Sequence, residues 1–457
     1  MTGPTPRPGR GRALPGNRWD LLDGVTPPAP PSVTVVVAHY RQQAQLDRTL
    51  LALSRQTHPA SRLEVVVVDD GSPETPRVPD GVRLVVQEDR GFRLAAARNL
   101  GASLADGDVL CFLDADTAPE PDYVRELTRL PALASDIVAA GRRRHAALDR
   151  APEEAWVEQV APALELDEPA WLRRAYADSR DLLDADDRSY RFVIGAVTAC
   201  SADLFADTGG YDEAFTRYGG EDWEWAYRAW LAGGVLAHVP SAVAWHDGPE
   251  WSGRDLADRQ RAKNAEALLL ADLVPAPGSR GRALRGPHAD VALHGPLTGV
   301  EAARFVCLDS ILAEVPEASV VGAPDGSPVV GAPGRTPVVG APVVGAPAGG
   351  GSDAGLAVDG RRLDRVRVDV VVADAPVRVR DGELRRAVAE LDGRGPGAIV
   401  YVDDEGATLL TVSSRRAAIR GRRWGSDALH ETVVRRSPSV VRLVDEPDVE
   451  GYVGGWA

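Results

Sequence analysis

Three apolar runs constrain this chain more than anything else in it. They are "VTVVVAHY" at 33–40, "LEVVVVDDGSPETP" at 63–76 and "DVLCFLDAD" at 108–116. A strand with one solvated face alternates apolar and polar residues, whereas a strand buried on both faces reads as a continuous Val/Leu run. Between the runs lie segments of helical period. Leu46, Leu50 and Leu53 share one helix face, and Leu94, Ala97, Gly101 and Leu104 share another. A further short strand is predicted at "VRLVVQ", 82–87. Strand, helix and strand in alternation predict an α/β fold: a mostly parallel, Rossmann-like sheet with helices on both faces. Such sheets bind ligands beyond the carboxyl ends of their strands.

Carboxylates stand at those ends. Asp69 and Asp70 close the second run, and Asp114 and Asp116 close the fourth strand. A bare carboxylate is costly to bury, so charges there must be solvated, paired or bound to a cation. Mg2+ or Mn2+, held by one or two carboxylates with phosphate oxygens and water completing the shell, is the simplest partner. The Asp-x-Asp spacing alone is weak evidence, because Asp184-Ala185-Asp186 and Asp106-Gly107-Asp108 repeat it without following a buried strand. A second acidic element, "GGEDWEW" at 219–225, opens a helix with Trp223, Tyr227 and Trp230 at i, i+4 and i+7, ended by Gly233-Gly234. Acidic residues in a first turn also simply favour the helix dipole.

The formal charge of −15 argues against a basic face for nucleic acid and for a soluble acidic protein. Cys111, Cys200 and Cys307 are scattered singly, which indicates neither a zinc site nor a disulfide scaffold and fits a reducing, cytoplasmic setting. No run approaches the length of a membrane span, and the N-terminus has no apolar signal region.

Composition and periodicity divide the chain into a Pro/Gly-rich disordered tail at 1–31, an α/β domain at 32–275, and a smaller α/β domain at 290–457. The last carries an insertion at 320–352 in which VVGAP recurs four times. Around the insertion, 308–328 echoes 50–73 and 387–406 echoes 99–117, so the second domain reads as a degenerate duplicate of the first or as an accessory domain.

The motifs "VVVAHYRQ", "VVVVDDGSPE", "GFRLAAARNLGASLADGDVLCFLDAD", "GGYDEAFTRYGGEDWEWAYR" and "AWHDG" occur in one order between about 33 and 248. In that order they resemble a GT-A fold glycosyltransferase of family 2. The later part resembles the carboxyl half of galactosyl- and N-acetylgalactosaminyltransferases. The resemblance implies a metal site of Asp114, Asp116 and His246, with Asp116 the closer ligand. It implies donor binding by Ala38, His39, Tyr40, Asp69, Asp70, Arg98, Asn99, Asp114 and Ala115. Asp222 would be the base, Glu221 would orient the sugar or acceptor, and Trp223 and Trp225 would form an acceptor wall. Arg93 is a weaker donor contact, and Arg142, Arg143 and Arg144 read as a solvated surface run. The implied reaction is metal-dependent (Mn2+ or Mg2+) inverting transfer from a nucleotide-diphosphate sugar, expected to be UDP-linked, to an acceptor hydroxyl. The acceptor, whether glycan, lipid or small molecule, and the oligomeric state are left open.

Two other readings compete. A nucleotide-sugar- or glycan-binding scaffold without turnover would not need Asp116, Asp222 and His246. A sugar-phosphate nucleotidyltransferase would want a glycine-rich phosphate loop after the first strand, which "VVVAHYRQ" lacks.

Overall fold

The structure, a computed structural model, describes residues 7–248, 256–281, 284–295, 299–321, 357–443 and 445–454. Most of the VVGAP tract lies outside the described residues. The chain divides into two compact units: Pro6–Leu270 with Ile419–Leu429, and a second formed chiefly by Ala271–Ala418 and His430–Ala457. Among the described residues no helix is long and apolar enough to cross a membrane.

The first unit holds strands β1 (Val33–His39), β2 (Leu63–Asp69), β3 (Arg83–Val86), β4 (Val109–Asp114), β5 (Thr117–Pro119), β6 (Ile137–Ala146), β7 (Glu165–Leu166), β8 (Val197–Ser201) and β9 (Val235–Asp247). They form one sheet in the order β3-β2-β1-β4-β8-β6-β9-β5, with β7 on β6. The half from β3 to β4 is parallel throughout, as the continuous Val runs require. Beyond it, β8 lies antiparallel to β4 and β6, and β9 returns parallel to β6. Every residue of β1 is buried. The helices are α1 (Gln43–Ser54), α2 (Leu94–Ser103), α3 (Tyr123–Leu133), α4 (Val157–Val160), α5 (Ala170–Asp178), α6 (Ala202–Thr208) and α7 (Glu221–Leu231), followed by α8 (Leu256–Leu273). Helix α2 presses on the sheet through Gly101, where an added Cβ would lie 2.3 Å from Val36 Cγ1.

Residues 7–31 are not the free tail their composition suggests. Leu14 and Leu22 are buried. Asn17 donates to the carbonyls of Leu182 (2.7 Å) and Leu236 (2.8 Å) and accepts from the Leu236 amide (3.0 Å). A few well-placed anchors offset the ordering entropy that a count of large apolar residues could not.

The segment 419–429 brings Arg420 into the same unit. Its guanidinium lies 3.2 Å from Asp136, both side chains fully buried, and donates to the carbonyls of Leu14 and Gly16. Trp424 Nε1 donates to the same carboxylate at 2.9 Å. Removing one member of a buried pair strands the other's charge. Arg420→Met is therefore expected to destabilise this unit by about 3–5 kcal/mol, read as a lower urea midpoint; an unchanged midpoint would show the pair to be dispensable.

The second unit holds β10 (Val291–His294), β11 (Ala318–Val320), β12 (Val368–Val372), β13 (Val377–Val379), β14 (Ala398–Val402), β15 (Thr408–Ser414), β16 (Thr432–Arg435) and β17 (Val440–Arg442). Its helices are α9 (Glu301–Glu314), α10 (Glu383–Glu390), α11 (Arg415–Trp424), which runs on into the 419–429 segment, and α12 (Val449–Tyr452). Six strands form a sheet in the order β11-β10-β12-β15-β14-β16, and β13 pairs with β17. Its main core is rich in Val and Leu, chiefly from one face of the sheet and from α9 and α10.

Candidate active site at the carboxyl end of the parallel strands

Asp114 ends β4 and Asp116 sits in the tight connection to β5. Strand β5 turns back antiparallel to the last residues of β9, with Thr117 opposite His246, and the Asp247 amide donates to the Asp116 carbonyl at 2.9 Å. This ladder sets His246 Nε2 3.6 Å from Asp116 Oδ2. His246 Nδ1 lies 3.2 Å from the Gly248 carbonyl, and His145 Nδ1 approaches the same oxygen at 3.3 Å. A carbonyl can only accept, so Nδ1 of His246 donates and Nε2 is the ring nitrogen that faces the carboxylate. Gln42 Nε2 donates to Asp116 Oδ2 at 3.2 Å and Thr117 Oγ1 donates to its Oδ1 at 3.3 Å. Burial pushes the Asp116 carboxyl up, and the nearby Asp114 charge adds to this against the opposing pull of His246.

A carboxylate and an imidazole at this spacing would hold a divalent cation between them, and the donor set suits Mn2+ or Mg2+ with further oxygens from a ligand. The expected third protein ligand is otherwise engaged. Asp114 Oδ1 accepts from Arg98 Nη2 at 2.8 Å, and among the described residues no group of three His, Cys, Asp or Glu side chains stands ready to hold a metal.

Arg98 is a correction to the expected donor contacts. It is buried, and its other terminal nitrogen donates to Glu221 Oε1 at 3.0 Å, so it ties the end of β4 to the start of α7. Glu221 is likewise buried rather than open to a sugar. Its carboxyl is pushed up by burial and by the adjacent Asp222, with Arg98 opposing. Asn99 closes a turn: it donates to the Tyr211 carbonyl (2.9 Å) and Glu213 (3.1 Å) and accepts from the Tyr211 amide (2.8 Å).

Asp222 is half-buried. Its Oδ2 accepts from the Gly195 amide (3.0 Å) and its Oδ1 from the Trp223 amide (2.8 Å). Burial raises this carboxyl, with the Gly195 amide and Arg98 opposing. Gly219 and Gly220 deliver the chain into α7 with φ of +97° and +93°, a conformation L side chains rarely adopt. Gly195 is needed for space instead, since an added Cβ would lie 2.7 Å from Arg98 Nη1 and 3.1 Å from Asp222 Cβ. Gly195→Ala therefore displaces both residues, and a turnover loss of about tenfold to a hundredfold is expected; unchanged turnover would show that the placement of Asp222 does not matter.

The two tryptophans separate. Trp223 is half-buried and meets the exposed ring of Trp171 edge to face at 6.3 Å. Trp225 is fully buried among Phe205 and Tyr211, with Nε1 donating to Thr208 Oγ1 at 3.0 Å, so it is core and not an acceptor wall.

On the far side, the expected nucleoside contacts are mostly turned inward. His39 is buried between Asp69 Oδ1 (2.7 Å) and the Gln42 amide (3.1 Å). Asp69 is fully buried and also accepts from the Ser72 amide (2.9 Å) and hydroxyl (2.6 Å). Asp70 accepts from Gln87 and from the Arg93 amide (2.8 Å). Ala38 and Ala115 are buried and joined by a backbone hydrogen bond of 3.0 Å. Tyr40, 39% exposed with Arg41 over its ring, is the member left facing outward. Gln42, the last residue of the motif VVVAHYRQ, was not singled out, and His145, Trp171 and Gly195 were not foreseen and sit in no local pattern that marks them.

Residues 34–179 match the family model Glycosyl transferase family 2, and residues 184–245 match the model described as N-terminal domain of galactosyltransferase. Chondroitin synthase of Escherichia coli is 30% identical over 267 residues, 53% of this chain and 38% of that protein. Validoxylamine A glucosyltransferase of Streptomyces hygroscopicus subsp. limoneus is 33% identical over 264 residues, 52% of this chain and 55% of that protein. The chain thus spans about half or less of the curated relatives it matches. Among solved structures, a mannosyltransferase of Pyrobaculum calidifontis in complex with GDP-Man and Mn2+ aligns at 20% identity and a TM-score of 0.39, over 57% of this chain and 71% of that one. The two matched segments contain β4, β5, Gly195 and α7, so residues 34–179 are similar to glycosyltransferases of family 2 and residues 184–245 to a galactosyltransferase domain.

Proposed function

We propose that residues 32 to about 275 transfer a sugar from a nucleotide-diphosphate donor to an acceptor hydroxyl, with metal dependence and inversion at the anomeric carbon. The observation that carries this reading is the Asp116–His246 pair: a carboxylate oxygen and an imidazole nitrogen 3.6 Å apart at the carboxyl end of the sheet. A bound divalent cation would stabilise negative charge on the departing diphosphate. Asp116 and His246 would hold it, with Gln42 fixing the orientation of the carboxylate and His145 sharing the Gly248 carbonyl that fixes the imidazole.

Asp222 acts as base in this reading. Its carboxylate takes the acceptor proton as the acceptor oxygen bonds to the anomeric carbon and the bond to the diphosphate oxygen breaks. Burial makes it a stronger base than an exposed aspartate, which suits the task. Displacement from the face opposite the leaving group inverts the configuration. Trp223 and Trp171 offer ring surface to an acceptor beside Asp222, and Tyr40 offers one to the nucleoside. UDP is the nucleotide expected, from the motif resemblance. The three cysteines, all buried and unpaired, agree with a reducing, cytoplasmic setting.

Incubation with a panel of nucleotide sugars, with proton NMR of the product, tests the reading. One nucleotide series is expected to release its diphosphate, and the product is expected to have the anomeric configuration opposite to the donor's. Retained configuration would refute the single-base mechanism, and no binding of any donor would refute the transferase reading.

A further inference from the structure

The two units have the same strand plan. Without the edge strands β3 and β5 and the short β7, the first sheet runs β2-β1-β4-β8-β6-β9, and the second runs β11-β10-β12-β15-β14-β16. In chain order both read second, first, third, fifth, fourth, sixth. The directions agree at every junction: parallel, parallel, antiparallel, antiparallel, parallel. The small ladder agrees as well. β5 pairs antiparallel with the end of β9, and β13 pairs antiparallel with β17, which follows β16 as the second half of β9 follows its first. Helices α1 and α9 connect the first two strands of each unit, and α3 and α10 follow β5 and β13.

Register carries the match to single residues. Val109 lies opposite both Val33 and Ser201, and Val368 lies opposite both Val291 and Ser414. Ser201 then caps α6 by accepting from the Leu204 amide (3.1 Å), and Ser414 accepts from the Ala417 amide (3.4 Å) at the start of α11. Cys200 faces Val138 as Ser413 faces Ala398. This assignment makes β12 the counterpart of β4. It corrects the sequence echo that set 387–406 beside 99–117, since β14 is the fourth strand of the plan.

The correspondence then locates the missing chemistry. The residue opposite the start of β5 is His246, and the residue opposite the start of β13 is Arg442. Pro376 immediately precedes β13 where Asp116 precedes β5; counted from β12 the place of Asp114 falls on Ala373, and counted from β13 it falls on Asp374. A guanidinium offers no lone pair and repels a metal ion; that of Arg442 lies 3.3 Å from Asp403. The connection from β6 to β8, residues 147–196 with Gly195 near its end, shrinks to 403–407 between β14 and β15.

We infer that the second unit is a degenerate copy of the first in which Arg442 and Pro376 have replaced the metal pair, so that the chain carries a single metal–diphosphate centre. The inference rests on the metal reading of the first unit. Its test is a count of Mn2+ bound to the full chain in the presence of UDP, by electron paramagnetic resonance of the free ion. Wild type and Arg442→Ala are expected to bind one Mn2+ per chain, and Asp116→Asn/His246→Ala none, with circular dichroism confirming the fold of each. Two ions in the wild type with one remaining in the Asp116→Asn/His246→Ala protein overturns the inference while leaving the first site standing; one ion in each overturns the metal reading of the first unit. No ion in the wild type overturns the metal reading itself and with it the contrast between the units.

Discussion

Asp222→Asn should abolish transfer while leaving the donor bound. Loss of a general base costs about 10²–10⁴ in rate, and the substitution removes the proton acceptor with almost no change in shape. Asparagine can still accept one of the two amide hydrogen bonds that aspartate takes from Gly195 and Trp223, so the start of α7 should keep its place. Turnover under saturating acceptor and donor affinity by calorimetry are the two readings. Affinity within a few-fold of wild type with lost turnover places Asp222 at the acceptor. Affinity lost together with turnover would make it a donor-holding residue and leave the base unassigned.

Asp116→Ala and His246→Ala should each remove metal-dependent donor binding, through a fall of more than about a hundredfold in apparent metal affinity. Residues that merely orient a ligand already cost ten- to a hundredfold when lost. Stability supplies a reading independent of activity. Burial raises the Asp116 carboxyl, so its contribution to stability is present at low pH and is lost as pH rises through the folded-state value; at neutral pH its charge is a cost. Asp116→Ala should therefore melt no lower than wild type without metal and lose the upward shift that Mn2+ gives the wild type. A lower melting temperature without metal, with the Mn2+ shift intact, would make Asp116 a structural residue.

How far the sequence reached can be argued element by element. The parallel half of the first sheet was legible because β1, β2 and β4 are buried on both faces and their Val runs say so. Asp116 and His246 were legible as candidates, but their approach depends on the β5–β9 ladder, which joins residues far apart in the chain. Arg98 and Glu221 were misplaced for the same reason. An arginine that grips phosphate and one that bridges two carboxylates look alike in a motif, and only the tertiary fold reveals that Arg98 joins buried Glu221 to half-buried Asp114. On α7 the predicted face of Trp223, Tyr227 and Trp230 was shifted: Tyr227 and Trp230 are buried, Trp225 joins them, and Trp223 is the ring left partly open. Helical period fixes which residues share a stripe, but not which of two adjacent stripes meets the sheet.

The ordered segment 7–31 and the plan of the second unit were hidden by composition. Asn17 does its work through three hydrogen bonds to backbone that no apolar pattern announces. In the second unit the short strands β11, β13 and β17, of three residues each, are too brief to show a period. Their pairing, not their letters, reveals the plan.

The central claim is that a metal held by Asp116 and His246 enables sugar transfer from a nucleotide donor. The direct measurement is nucleoside diphosphate release from the accepted donor, followed in one sample as EDTA is added and then excess Mn2+. The account predicts release that stops on chelation and returns with Mn2+ in the wild type, with no return in Asp116→Ala. Release that continues through chelation, or that Asp116→Ala supports equally well, would contradict it.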